Sequence, residues 1–228
     1  MVLSIMLTLL MEFAEGQSSE ALGQTAMISP MKVHLLGTSN SADEAGSLGA
    51  FGSRFQFAWR QIHHEDRQEL QSDDNISGSV KQISMSKGLP FPLDLGLVFS
   101  TLPDHVTYGE MSGKWTFWEG FQRPSLSIKL SVSRLWGFSF IESSSIDMDL
   151  MASYRLNRYL HFFFNYKNSV QHYQLQDMVR TAPLHSTVSG MGMGMRLVIL
   201  PPHLALSIER EKYAAEYESF LFGLMVAS

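Results

Sequence analysis

Ser125 to Val132 reads Ser-Leu-Ser-Ile-Lys-Leu-Ser-Val, a strict alternation with a period of two residues. Leu126, Ile128, Leu130 and Val132 are apolar, while Ser125, Ser127, Lys129 and Ser131 are small or charged. Successive side chains of a strand point to opposite faces, so this segment is a strand with one apolar and one polar face. The rhythm recurs from Phe51 almost to Ser228. Such strands either bring their apolar faces together as a core or turn them outward to lipid, and everything else follows from which of the two happens.

Composition favours lipid. The 228 residues carry a formal charge of −5, and only 17% are charged, against about 25% in an average soluble domain. Yet no run of about 18 or more apolar residues exists, so no helix can span a bilayer. A transmembrane barrel combines these properties, because every second strand residue faces lipid. Cysteine is absent, which excludes a disulfide framework and thiol chemistry and removes the usual ligands of structural zinc. The mild acidity and the lack of a basic stripe speak against nucleic acid as a partner.

The N-terminus begins Met-Val-Leu-Ser-Ile-Met-Leu-Thr-Leu-Leu-Met-Glu-Phe-Ala-Glu-Gly. Val2 to Met11 has the length of a signal-peptide hydrophobic core, and Ala14-Glu15-Gly16 is a small-x-small cleavage pattern, so residues 1–16 read as a leader. No Lys or Arg precedes Lys32, and an ordinary apolar helix is the competing reading. Residues 17–45, rich in Ser, Ala, Gly and Thr, read as a flexible lead-in, and residues 46–228 as the barrel.

Ten strands are expected: Gly49 to Arg60, Val80 to Ser86, Phe91 to Phe99, Val106 to Trp118, the Ser125 strand, Phe138 to Tyr154, Tyr159 to Lys167, Val188 to Leu200, His203 to Glu209 and Glu218 to Ala227. An even number near ten suits a small up-and-down antiparallel barrel. The joins at Lys87–Pro90, Glu119–Pro124, Arg155–Arg158 and Leu200–Pro202 are short and carry turn residues. The long polar joins, Gln61–Gly78 and Asn168–Ser186, fall on the opposite end. Short turns on one side and longer loops on the other are the layout of an outer-membrane barrel. Aromatics near strand ends, among them Trp59, Phe91, Phe99, Trp115, Phe117, Trp118, Trp136, Phe138, Tyr154, Tyr159 and Tyr166, match interfacial girdles. A soluble sandwich or lipocalin-like barrel is the competing fold.

Lys87-Gly88-Leu89-Pro90, Asp94-Leu95-Gly96, Glu119-Gly120-Phe121, Pro124 to Gly137 and Ser145 to Leu150 together resemble an uncharacterised family of Gram-negative outer-membrane β-barrel proteins. The resemblance covers about Lys87 to Tyr166 and rests on turns and alternation. It implies a place in the cell outer membrane, contact with outer-membrane lipid and insertion by the barrel-assembly machinery. It supplies no catalytic residues and no soluble partner. Such barrels commonly finish on an aromatic residue, whereas this chain ends Val226-Ala227-Ser228, with Phe220 and Phe222 further in.

The chemistry on offer is mostly structural. Arg54, Glu110, Lys114, Lys129, Asp147, Asp149 and Arg155 fall on the polar rows, where buried charges must pair; they are the expected lumen charge network. A ladder of ion pairs would plug a lumen of about ten strands, since wide aqueous channels need about sixteen. His63-His64-Glu65-Asp66 is the densest polar constellation, but its neighbours point oppositely, so a metal site is not expected. His161, His172, His185 and His203 lack a nucleophile at fixed spacing, and no enzyme activity is expected. Gly190-Met-Gly-Met-Gly-Met195 precedes no helix, so it reads as a strand with glycines inside rather than a phosphate loop. No cofactor is implied. Two functions compete: a structural or loop-presenting barrel with a filled lumen, and a narrow channel or carrier for a small solute.

Overall fold

The computed structural model describes residues 45–64, 79–101, 107–120, 124–136, 141–175, 183–201, 203–213 and 217–228. The expected leader, and the lead-in as far as residue 44, lie outside the described residues. Ten strands follow in order: β1 Ser53–His64, β2 Ser79–Gly88, β3 Leu93–Thr101, β4 Thr107–Trp118, β5 Pro124–Trp136, β6 Ile141–Arg155, β7 Leu160–Leu175, β8 Pro183–Leu200, β9 Leu204–Tyr213 and β10 Tyr217–Ala227. Each pairs antiparallel with its neighbour in sequence, and β1 pairs with β10 from Arg54↔Ala227 to His64↔Tyr217, closing the barrel. Closure leaves no strand edge with unsatisfied backbone groups, the condition for a sheet to survive in hydrocarbon.

The alternation sorts residues between the two faces as the sequence pattern demands. In β5, Ser125, Ser127, Lys129, Ser131 and Ser133 are buried inside, while Leu126, Leu130 and Val132 are exposed on the outer wall. The same holds for the Phe55, Phe57 and Trp59 row of β1, the Leu95, Leu97 and Phe99 row of β3 and the Met191, Met193 and Met195 row of β8. Among the described residues the inside has only small apolar clusters, such as Val198 with Ala205 and Met225. Polar and charged side chains dominate the buried set. This inverts the arrangement of a soluble sandwich, which would bury the apolar rows. The wall is built for lipid.

One end of the barrel carries the tight connections, residues 89–92, 119–123, 156–159 and 201–203; we call it the turn end. At residues 156–159 the Asn157 Oδ1 accepts hydrogen bonds from the Tyr159 and Leu160 amides at 2.8 and 2.9 Å, so a side chain stands in for the next strand's backbone. The opposite, loop end carries residues 65–78 and 176–182 together with the shorter connections 102–106, 137–140 and 214–216.

The expected long loop Asn168–Ser186 is largely strand. β7 and β8 stay paired as far as His172↔His185 and Gln174↔Pro183, leaving only residues 176–182 between them. The extension escaped the sequence reading because Asn168 and His172 face outward while Ser169 and Gln171 face inward, so neither face offers an apolar row. With β7 lengthened, Tyr166 sits near mid-strand and not in an interfacial girdle. Phe91, Trp115, Phe117, Trp118, Tyr154 and Tyr159 do crowd the turn end, outward and exposed, and Phe99 and Trp136 lie toward the other, while Trp59, like Tyr166, sits near mid-strand. Trp136 lies against Gly109, where an added Cβ would meet its ring at 2.6 Å, so the glycine makes room for the indole on the outer face.

Depth along the outer wall sets the cost of a charge. Leu130→Arg, mid-strand on the lipid face, is expected to cost about 2–4 kcal/mol, whereas Thr101→Arg, outward at the loop end of β3, should cost about 0–1 kcal/mol. Heat-modifiable gel mobility and urea titration of each variant in bilayers check this; equal losses would contradict a lipid-facing wall.

Candidate functional site: the charged interior

Inward-facing positions of the ten strands bring twelve buried charges into one lumen. They are the cations Arg54, Arg60, Lys114, Lys129, Lys167 and Arg196 and the carboxylates of Asp94, Glu110, Asp147, Asp149, Glu209 and Glu211. The two signs balance among the described residues. Desolvating a charge is costly unless an opposite charge or a set of hydrogen bonds compensates it, so the balance is a condition for the interior to exist.

The contacts run round the wall, between strands that are adjacent or one apart. Lys129 on β5 reaches Glu110 on β4 at 2.9 Å and Asp149 on β6 at 3.9 Å, with Lys129 itself only 1% exposed. Tyr108 Oη donates to the other Glu110 oxygen at 2.8 Å. Asp147 accepts from Ser145 at 3.2 Å and Ser131 at 3.5 Å, and Ser133 and Ser145 share a hydrogen bond at 2.6 Å. Lys167 on β7 stands opposite Asp149 in the strand register. Toward the turn end, Lys114 pairs with Asp94 at 3.0 Å.

A second group occupies the far side. Arg60 Nη1 donates to Glu211 Oε2 at 2.5 Å across β10. The same carboxylate oxygen accepts from Tyr213 Oη at 2.6 Å and Ser219 Oγ at 3.3 Å. Asn165 Nδ2 on β7 reaches over β8 to Glu209 Oε1 at 3.1 Å. That reach depends on the glycine rhythm of β8. A Cβ at Gly192 would lie 2.2 Å from Asn165 Oδ1, one at Gly190 would lie 2.3 Å from the Tyr213 ring, and one at Gly194 would lie 2.4 Å from the Phe163 ring. Glycine there lets neighbouring side chains lie flat across the strand, which is why the segment alternates with methionine on the lipid side.

Of the residues expected in the lumen, Arg54, Glu110, Lys114, Lys129, Asp147 and Asp149 lie buried inside. One expectation needs correction. Arg155 lies at the turn-end rim, partly exposed, with its guanidinium 3.4 Å from Glu119. Lys114 pairs with Asp94, which lies directly opposite it in register. The sequence reading left Asp94, Arg60, Lys167, Arg196, Glu209, Glu211, Tyr108 and Tyr213 out of the network. Their phase in the alternation was the available signal; Glu209 and Glu211 face in while Arg210 and Lys212 on the same strand face out. Outside, Arg210 pairs with Glu218 and stacks 5.9 Å over Phe220.

The histidines do not converge. His161 faces inward and is half-buried near the turn end, His172 faces outward, and His203 sits in the turn after β8 with Nδ1 3.2 Å from the Ala227 carbonyl. The side chains of His63, His64 and His185 lie outside the described residues, as do Glu65 and Asp66. Among the described residues no cluster of three or more metal-ligating side chains occurs.

No protein-family model matches the chain, and no curated protein matches it either. Solved structures resemble it in architecture. They include Ail, the attachment invasion locus protein of Yersinia pestis, at 9% identity and a TM-score of 0.39, covering 78% of this chain and 99% of that one. The translocator domain of the autotransporter NalP from Neisseria meningitidis matches at 10% identity and a TM-score of 0.47, covering 89% and 97%. The KdgM porin matches at 8% identity and a TM-score of 0.40, covering 75% and 98%. With TM-scores below 0.5 these likenesses add nothing to what the geometry above carries.

Lys129 is the keystone of the first group. Lys129→Met would remove the cation that bridges Glu110 and Asp149, at a cost of about 3–5 kcal/mol. Adding Glu110→Gln and Asp149→Asn should recover most of it, because the stranded charges are then gone. Urea unfolding of the three proteins in bilayers reads this; no recovery in the triple variant would mean that Lys129 acts by packing alone. The described chain is, in its closed strands, apolar wall and charged interior, an outer-membrane-type β-barrel in contact with lipid.

Proposed function

We propose that the protein is a small barrel of the Gram-negative outer membrane with a side-chain-filled lumen, acting structurally or through its loop end and not as an enzyme. The supporting observation is the balanced set of twelve buried charges on the inner rows. A diffusion pore selects by a surplus of one sign along its wall, whereas opposite charges paired at 2.5 to 3.0 Å from strand to strand occupy the lumen themselves. About ten strands leave an interior that side chains nearly fill. Insertion by the barrel-assembly machinery is part of this reading, with Phe220 and Phe222 of β10 as the aromatic residues near the C-terminus.

One observation favours the narrow channel or carrier. Lys167 Nζ and both carboxylate oxygens of Asp149 are buried and make no hydrogen bond among the described residues. Buried polar groups are nearly always satisfied by protein or ordered water, so this part of the wall has hydrogen-bonding capacity for water or for a small polar solute.

Planar-bilayer recording separates the two. The filled lumen predicts no steady conductance; large, steady single-channel steps would put the carrier reading first. Sidedness is tested separately, by tags after Ser72 and after Asn157. The first, in the connection 65–78, should be reached by antibody on intact cells, and the second, in the tight turn 156–159, should not. The reverse pattern would invert the topology.

A further inference from the structure

The chain just before β1 does not lie outside the barrel but enters its turn-end mouth. Ala45 is 0% exposed and Gly46 is buried. Six hydrogen bonds hold the segment, and five of them engage its main chain. Thr116 Oγ1 donates to the Ala45 carbonyl and Lys114 Nζ to the Gly46 carbonyl, each at 2.9 Å. The Leu48 amide donates to both Asp94 oxygens at 3.1 Å. The Ser47 amide and hydroxyl donate to Glu119 Oε2 at 3.3 and 2.8 Å. A Cβ on Gly46 would lie 2.6 Å from Arg155 Nη2 and 2.9 Å from Glu119 Oε1, the ends of two rim side chains that pack against the segment and would have to shift for it. Beyond Leu48 the chain turns back on itself through Gly49 and Phe51, both with positive φ, and Ser53 then joins the β-ladder.

These side chains are matched to a peptide backbone. Two donors meet carbonyls, two carboxylates meet amides, and Asp94 and Lys114 are also bridged to each other at 3.0 Å. We propose that Asp94, Lys114, Thr116 and Glu119 form a binding site for the amides and carbonyls of an irregular main-chain segment, and that Ala45–Leu48 occupies it as a strap closing the turn-end mouth. Seated, the strap bars small solutes from the turn-end part of the interior; lifted, it lets them in only as far as the charge pairs that fill the rest. This rests on the filled-lumen reading above, in that the strap and the charge pairs close the same interior, and the test tells their failures apart.

The chain has no cysteine, so single thiols report cleanly. Ala45→Cys reads the strap itself, and Ser84→Cys, buried on the inner row of β2, reads the interior. Exposed Phe51→Cys serves as the reactive standard. In the folded barrel, confirmed by heat-modifiable mobility, both Ala45→Cys and Ser84→Cys should react with a small charged methanethiosulfonate at least about tenfold more slowly than Phe51→Cys. The strap is then displaced in two ways: Lys114→Met with Thr116→Val removes its donors, and Ala45→Trp overfills its seat without touching a barrel strand. Either background should bring Ser84→Cys to within about threefold of the standard, while Thr116→Ser, which keeps the hydroxyl, should leave it protected. Free reaction of Ala45→Cys in the otherwise unaltered chain would overturn the strap. Continued protection of Ser84→Cys in both displaced backgrounds would overturn the gate and leave the filled lumen standing. Rapid reaction of Ser84→Cys with the strap seated would overturn the filled lumen itself.

Discussion

The pairing of β1 with β10 is the interaction on which the rest of the molecule depends. Each of the other pairings joins neighbours in sequence, but this one joins the two ends of the barrel chain. Without it both end strands would carry a row of unmet amides and carbonyls into hydrocarbon, where each costs several kcal/mol. Closure in turn fixes which face is inside, and therefore that every second residue must be apolar and the others must satisfy one another. The entropy of bringing strands so distant in sequence together is the price of that arrangement.

Inside, the constraint changes from hydrophobicity to neutrality. The lumen tolerates Lys129 and Arg60 because carboxylates reach them from strands on either side or one strand away. Such pairs add little stability over an apolar filling, but breaking one is costly. The interior is therefore organised as two coupled groups, one along β3 to β7 and one linking β1 with β7 to β10. Tyrosine and serine hydroxyls extend each carboxylate's set of partners, as Tyr213 and Ser219 do at Glu211.

All ten strands were legible in the sequence, because lipid on one side and charge on the other impose an alternation that nothing else in the chain imitates. The legibility ended where that contrast ended. Asn168 to Leu175 and Pro183 to Thr187 rise beyond the apolar belt, so the pairing of β7 with β8 left no hydrophobic trace there. The charged interior was legible residue by residue, through phase, but not pair by pair. Nothing in the order of residues says that Lys114 meets Asp94 while Lys129 meets Glu110, since register follows from turn lengths and bulges such as that between Thr116 and Trp118. The seat of Ala45 to Leu48 was invisible for a related reason. It is made mostly from main-chain hydrogen bonds, and Ala45, Gly46 and Ser47 are small enough to look like a linker.

The methionine row of β8 carries a chemical liability. Met191, Met193 and Met195 stand side by side on the outer wall, opposite the three inner glycines. Unbranched and polarisable, they mould to disordered acyl chains and need no complementary partner. The same thioethers lie among the unsaturated or peroxidised tails of whatever membrane surrounds them. Oxidation to sulfoxides would set up to three polar, chiral groups in hydrocarbon on a stretch of β8 whose inner positions, Gly190, Gly192 and Gly194, have no side chain to give way. β8 is thus the sector of the wall where redox damage would meet the least slack.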